Sequence, residues 1–560
     1  MTRHFLLMPL LCLSLAGCAP EGDSENQLAE STNAQVMAAE RYTRGMVSSA
    51  HPVATEAGLE ILAAGGNAFD AAVAIASTLN VVEPMMSGMG GYGTIMVYSE
   101  AEGQPYYLDA SGKIPVGVDP DVYRAPTPNY MENRVGPKAV STPGASAAWQ
   151  AMHDRFGTLD WGSLLQPAIR AAKDGFMLDE RNARFIEYSF DEFPDYPKSI
   201  FGDDDGPLKT GERLVQTDLA NTFRILAEQG TSAIYGGELG NVIDTAMSES
   251  GGFLAISDLE NHVADWWTPL HLEFRGHDVY APSAPAGAFP MLERLGMMDA
   301  ANSSELGHNS LVYLHTFAEL TKAAYWDRLA FSSDPDIAQP PYDRLLSTDY
   351  WQSRVDAIDP AAAKDFDYSG IVTANNENTT HFVVADDQGN IVSATVTLGG
   401  LFGSKIMPEG TGFFLNNSLR YCTFEPAGNP MDAHPGRRKL SSDSPAILLK
   451  DGRPVFALGT PGGHTITQAV AQMILNLLDF DMTIGEAIAS PRISFIEPNT
   501  LAVEETIPGS IRQQLEDMGH EIEVRQIGNA NGLAIKYLDD GSVVFSGASD
   551  PRGAGLAKGR

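Results

Sequence analysis

Between residues 52 and 64 apolar side chains recur at Val53, Ala57 and Ile61, the spacing of one helix face. Pro52 suits the first turn of that helix and Gly65-Gly66 its stop. A second helix is expected over 67–79, capped by Asn67. Its run Ala71-Ala72-Val73-Ala74-Ile75-Ala76 is apolar almost all round and predicts complete burial between layers. Residues 94–98 read as a strand. The middle of the chain, about 144–356, reads as predominantly helical, with segments at 161–175 and 311–331 separated by Gly-, Pro- and Asp-rich turns. At about residue 370 the pattern changes to Ser/Thr-rich alternating strands and glycine turns.

That last third holds two hairpins. The runs 379–384 and 390–398 flank Asp386-Asp387-Gln388-Gly389, so paired positions sum to about 776 and Thr379 faces Thr397. Two hydroxyls meet at one strand end, which fits either a pair chosen for β propensity or a working pair. The second hairpin joins 444–449 to 454–460 across Asp451-Gly452. It runs into Pro461-Gly462-Gly463 and a helix from about His464, with the stripe Ile466, Val470, Met473, Ile474 and Leu477. Such a strand–Gly-Gly–helix junction points backbone N–H groups outward where the helix dipole favours negative charge. It fits an oxyanion hole, or only a turn.

Composition narrows the choices. The 560 residues carry 37 Lys+Arg against 72 Asp+Glu, a net charge of −35 that disfavours a nucleic-acid partner, and 43% apolar residues exclude bulk disorder. No H-E-x-x-H, C-x-x-C, G-x-S-x-G or phosphate-loop pattern occurs. A formal G-x-G-x-x-G at Gly88, Gly90 and Gly93 leads into a strand rather than the helix a dinucleotide needs.

The N-terminus reads Met-Thr-Arg-His and then an apolar run, 5–15, of signal-peptide length. It closes on Leu15-Ala16-Gly17-Cys18, which resembles a bacterial lipoprotein box, with Cys18 the lipidated first residue. This divides the chain into a signal peptide (1–17), a polar, acidic tether (18–40) and the folded remainder. It also implies a periplasmic or cell-surface location, as an outer-membrane lipoprotein held by its lipid alone. After processing Cys422 has no thiol partner but Cys18, so no disulfide framework is expected.

Taken together, several blocks resemble the γ-glutamyltranspeptidase family of N-terminal-nucleophile (Ntn) hydrolases. They are Gly45-Met46-Val47 to Ala50-His51-Pro52, Gly65-Gly66-Asn67-Ala68 to Val73, Val81-Val82-Glu83-Pro84, Thr379-Thr380-His381, Leu440-Ser441-Ser442, Pro461-Gly462-Gly463 and Asp550-Pro551-Arg552, in family order. The resemblance implies an α+β fold, the four-layer αββα sandwich. It also implies a proenzyme that cuts its Asn378–Thr379 bond into a large subunit (41–378 after the tether) and a small subunit (379–560) interwoven in one core.

Thr379 would then be nucleophile and new N-terminus, and its freed α-amine, with a reference pKa of about 7.7–8.0, could take the hydroxyl proton. In the resemblance Thr397 supports that hydroxyl, and the Gly462 and Gly463 amides stabilise the oxyanion. No metal or organic cofactor is implied. The partners are a small-molecule acyl amide, such as a γ-glutamyl compound, and the two pieces of one precursor.

The substrate groups depart from the family pattern. Ser441 and Ser442 match the serine pair that helps to hold the substrate carboxylate, but Ser111 stands where members carry an arginine. Tyr421 stands where an aspartate binds the α-ammonium, and Gly399 replaces a polar residue. Arg420 or Lys113 could supply the missing cation. These changes suggest an amidase for a donor other than ordinary γ-glutamyl compounds, as in the cephalosporin acylases of the family. A non-catalytic surface lipoprotein serving as a binding module is the remaining alternative.

Overall fold

His51 opens the first helix, Pro52–Ala63, by accepting the Val53 N–H on its ring Nδ1, and Pro52 fills the first turn. Asn67 opens the second, Ala68–Val82, through a capping box with Asp70, and every residue of that helix is buried. Pro52 in the first turn and the Asn67 cap lie where the sequence pattern put them; the His51 cap was not foreseen. The computed structural model describes residues 42–124, 132–366 and 378–560. The signal segment, Cys18 and the tether lie outside the described residues.

Two large sheets follow from the alternating strands. The first has seven strands in the order Leu556–Gly559, Gly45–Ser49, Asn378–Asp386, Ile391–Gly399, Tyr92–Ser99, Gln104–Asp109 and Asp265–Trp267. The second has six, in the order Val543–Ser549, Asn531–Tyr537, Arg453–Gly459, Ala446–Lys450, His277–Ala281 and Leu270–Phe274. Met46, Met96, Tyr107 and Val383 from the first sheet pack directly on Ile447, Ala457 and Leu533 from the second. The outer face of the first sheet meets the Ala68–Val82 helix through Val384, Val392 and Ala394. The outer face of the second meets Phe289–Ala300, Leu311–Phe331 and Ile466–Asp479 through Val279, Leu448 and Leu458. This is the αββα layering that the resemblance implied, an α+β fold with helices outside and sheets inside.

Two differences from the sequence pattern stand in the middle region. Residues 265–281 contribute strands to both sheets although the surrounding chain is helical. The helix expected over 161–175 is interrupted at Leu165, giving Trp161–Leu164 and Gln166–Asp174, because Pro167 requires a helix start there. The 311–331 helix forms as expected. Among the described residues no helix is long and apolar enough to cross a membrane, and Cys422 is a free, buried thiol.

Candidate active site

The first hairpin keeps the expected register over most of its length, with Thr380 opposite Val396 and His381 opposite Thr395. At its open end the register shifts, so that Asn378 lies opposite Gly399 and Thr379 occupies an irregularity. The two hydroxyls still meet. Thr379 Oγ1 donates to Thr397 Oγ1 at 3.2 Å, and Thr397 Oγ1 donates to the Asn378 carbonyl at 2.6 Å. The Gly399 N–H donates to the same Thr397 oxygen at 2.8 Å and fixes its rotamer. One hydroxyl thus accepts from Thr379 and polarises the carbonyl on its N-terminal side. Thr379 and Thr397 are both buried.

The second hairpin delivers the glycine pair. Gly462 and Gly463 adopt φ of 142° and 56°, values that favour glycine, where the strand Arg453–Gly459 turns into a single 3₁₀ turn and the helix Ile466–Asp479. Thr465 closes the turn with its N–H and hydroxyl on the Gly462 carbonyl, at 3.0 and 2.9 Å. Among the described residues no acceptor takes the Gly462 or Gly463 N–H. Free amides of this kind at a helix start are what an oxyanion requires.

A cavity of about 940 Å³ opens on this junction. Asn378, Thr379, Gly400, Asn417, Arg420 and Gly462 line its inner end. Its wall also carries Arg134, Arg181, Arg184, Lys405, Arg525 and Arg552, against the carboxylates of Asp179, Glu180 and Glu192. With Arg420 that is seven cations to three anions, in a chain whose net charge is −35. Four of these cations are already paired, Arg181 with Glu83, Lys405 with Glu192, Arg525 with Glu523 and Arg552 with Glu504 and Asp550, so the wall's field is much weaker than the count of lining residues implies.

Of the two cations proposed as substitutes, Arg420 lies in this wall, and Lys113 does not; its backbone makes an antiparallel β-bridge with Arg438. The Arg420 side chain is buried, and among the described residues no carboxylate lies within ion-pair distance of it. Its guanidinium covers Gly400, where an added Cβ would lie 2.3 Å from Nη1. Gly399 has a comparable reason to be glycine: at φ 100° its Cβ would meet Asn417 Oδ1 at 2.2 Å. Asn417 Oδ1 also accepts the Gly400 N–H at 2.7 Å, so the Asn416-Asn417 pair shapes this wall.

The remaining recognition residues lie behind the cavity wall. Ser111 is buried, donates its N–H to Asp109 at 2.9 Å and has an unpartnered hydroxyl. Ser442 Oγ accepts from Arg328 Nε at 3.1 Å, and Ser441 Oγ accepts from the Asp443 N–H at 3.4 Å. Tyr421 sits edge-on to His464, 6.4 Å between ring centres, and the Lys439 ammonium lies 5.7 Å from its ring and 3.1 Å from the centre of Tyr92. Burial pulls Lys439 well below the usual lysine range and pushes its partner Asp443 upward. Burial, Arg328 and Arg420 hold His464 neutral, well below its ordinary value.

Sequence reasoning missed Glu83 and Arg181. Thr380, next to Thr379, donates its hydroxyl to Glu83 Oε2 at 2.8 Å, and Arg181 holds Glu83 Oε1 at 2.9 Å. Glu83 stands in one of the quoted blocks, but its chemical partners lie about 100 and 300 residues away and leave no local signal.

The sequence model of the gamma-glutamyltranspeptidase family matches residues 54–559. The chain belongs to that family. It is 35% identical over 514 residues to the acylase ACY 1 proenzyme of Pseudomonas sp. (strain V22), covering 90% of this chain and 91% of that protein. It is 33% identical over 540 residues to the glutathione hydrolase proenzyme of Bacillus subtilis (strain 168), covering 92% and 91%. Among solved structures it resembles cephalosporin acylase from Bacillus halodurans, with a TM-score of 0.84, 26% identity and coverage of 98% and 99%. As a gamma-glutamyltranspeptidase-family member the chain is a self-cleaving hydrolase or acyltransferase of the Ntn fold.

Proposed function

We propose that Thr379 cuts the Asn378–Thr379 bond and then, as the new N-terminus, hydrolyses or transfers the acyl group of an anionic acyl amide, a γ-glutamyl or related dicarboxylic compound. The observation that carries this reading is the hydroxyl relay from Thr379 through Thr397 to the Asn378 carbonyl. In the precursor Thr379 Oγ attacks the Asn378 carbonyl carbon, the Thr397 hydroxyl donates to the carbonyl oxygen, and the Thr379 nitrogen leaves as an amine. The ester so formed is opened by water, freeing an α-amine that serves as base in later turnovers. In those turnovers the oxyanion of the substrate carbonyl meets the Gly462 and Gly463 amides.

Arg420, buried and with no carboxylate within ion-pair distance among the described residues, pairs with the donor's carboxylate. Ser111, Ser441 and Ser442 stand behind the cavity wall and support the acyl site from there. Tyr421, set between Lys439, Arg420 and His464, offers an α-ammonium no anion. That surrounding favours a second reading in which donors without the amine, such as glutaryl amides, are preferred. Nothing favours the non-catalytic binding module. Cys18 carries the lipid and tethers the enzyme to the outer membrane, facing the periplasm or the cell surface.

N-terminal sequencing of purified protein should yield a fragment beginning at Thr379, and Thr379→Ala should leave one uncut chain. Cutting that persists in this variant removes the mechanism. Cleaved enzyme should then turn over glutaryl-p-nitroanilide faster than γ-glutamyl-p-nitroanilide. The reverse order discards the second reading and leaves the first.

A further inference from the structure

Far from the cavity, the helix Leu311–Phe331 presents His315 and Glu319 one turn apart on one face, the spacing that lets two side chains share a ligand. His520, in the turn before the strand Glu521–Val524, meets them from the other side. One ligand atom from each of the three lies within 4.8 Å of the others, and all three side chains are buried. We propose that His315, Glu319 and His520 bind a divalent transition-metal ion of the zinc class, and that the ion clamps the two cleaved subunits together.

The groups around the three residues orient them for this. His315 Nε2 faces the Asp359 carbonyl at 2.8 Å, so this nitrogen carries the proton and the Nδ1 lone pair points at His520 Nε2, 2.9 Å away. A metal-bound histidine commonly donates its other ring N–H to a backbone carbonyl in this way. Glu319 is held by the Lys322 ammonium on Oε1 at 2.8 Å and by the Lys364 N–H on Oε2 at 3.2 Å. Each carboxylate oxygen has a second lone pair, so neither bond blocks a metal. Lys322 itself is anchored on the Lys364 carbonyl at 2.6 Å. Two imidazoles bound to one tetrahedral ion at about 2.0–2.1 Å stand roughly 3.3 Å apart, so the pair has to open by only a few tenths of an ångström. Two imidazole nitrogens and one carboxylate are the donors of a zinc-class ion; magnesium and calcium favour all-oxygen sets.

The location gives the site its consequence. His315 and Glu319 belong to the piece that ends at Asn378, and His520 belongs to the piece that starts at Thr379. The same cluster fixes residues 359–364, through Asp359, Lys364 and the Ala363 N–H on the Met518 carbonyl at 2.7 Å. An ion there would span the two polypeptides and pin the stem leading to the cleaved end. The bridging role rests on cleavage before Thr379, whereas the metal site itself does not.

Cleaved enzyme and the uncut Thr379→Ala chain are stripped with EDTA, titrated with Zn²⁺ alone, desalted and measured by plasma mass spectrometry and thermal unfolding. One zinc per chain in both forms, with a zinc-dependent rise in Tm, is expected. His315→Gln with His520→Gln should weaken zinc binding by at least ~100-fold and abolish the rise in Tm; the single variant His520→Asn covers the case in which the pair does not fold. Self-cleavage and turnover should be unchanged. Wild-type protein that holds no stoichiometric zinc, or folded variants that hold as much as wild type, overturn the site. Zinc binding by wild-type protein whose backbone is never cut before Thr379 overturns the bridging role and leaves the site intact.

Discussion

Replacing Thr397 by Val keeps the shape of the side chain and removes the one oxygen that links the proposed nucleophile, Thr379, to the carbonyl of the proposed cut, that of Asn378. Three hydrogen bonds go with it: from Thr379 Oγ1, from the Gly399 N–H and to the Asn378 carbonyl. The buried Gly399 amide is left without an acceptor, an expected loss of about 1–3 kcal/mol of stability. The Asn378 carbonyl loses its polarising donor. By analogy with removal of one oxyanion donor, self-cleavage should slow by ~10²–10³, about 2.7–4 kcal/mol of activation energy. The assay is the time course of precursor converting to two bands on a denaturing gel, with mass spectrometry of the fragment beginning at Thr379. Thr397→Ser retains the oxygen and should cut within ~10-fold of wild type, a barrier change of about 1.4 kcal/mol or less. A Val variant that is folded and cuts at the wild-type rate would refute the relay, as would a Ser variant no faster than Val.

Arg420→Gln should lower kcat/KM for carboxylate-bearing donors by ~10–150-fold, the loss of about 1.5–3 kcal/mol from one charged hydrogen bond, while self-cleavage proceeds; an unchanged kcat/KM would show that the carboxylate sits elsewhere. Asp550→Ala leaves the fully buried Arg492 guanidinium without its 2.5 Å partner and should cost about 3–5 kcal/mol in denaturant unfolding. A loss below ~1 kcal/mol would mean that Glu504 and water re-satisfy the cation. His381 is sealed between the sheets, with Nδ1 2.9 Å from Thr395 Oγ1, and burial lowers it to about 3. Its folded value lies below the unfolded ~6.5, so the unfolded chain takes up a proton that the folded chain refuses. Stability from this residue is full above pH ~6.5 and falls as pH drops, by about 2 kcal/mol at pH 5. The stability difference between wild type and His381→Gln, measured on the uncut chain, should therefore shift by that amount between pH 7 and 5; a pH-independent difference would contradict the assignment.

The sequence was most informative where neighbours along the chain are also neighbours in space. The Thr379 hairpin could be registered by counting from its turn, and Thr380 opposite Val396 lies on the expected sum. The shift at Thr379 could not, because Thr397 bonding to the Asn378 carbonyl sets it. Leu270, Leu272 and Phe274 do alternate with His271 and Glu273, but five residues between helices do not dominate a longer window. The cationic wall was invisible for a different reason. Arg134, Arg181, Lys405 and Arg420 come from separate loops and helices, and only the fold collects them against a chain-wide acidic background. Gly399 and Tyr421 could be identified as departures from a pattern, but Asn417 and His464, the residues they touch, emerged only in three dimensions.

With the proposed cut before Thr379, Gly45–Ser49 of the large piece lies in the seven-stranded sheet between Leu556–Gly559 and Thr379–Asp386 of the small one, and the six-stranded sheet joins Ala446–Lys450 to His277–Ala281 across the same divide. After the backbone is nicked, neither polypeptide retains a complete sheet, and parting them means stripping strands from both. Dilution should therefore never resolve the mature enzyme into free folded halves, and halves produced separately would have to fold around one another to work at all.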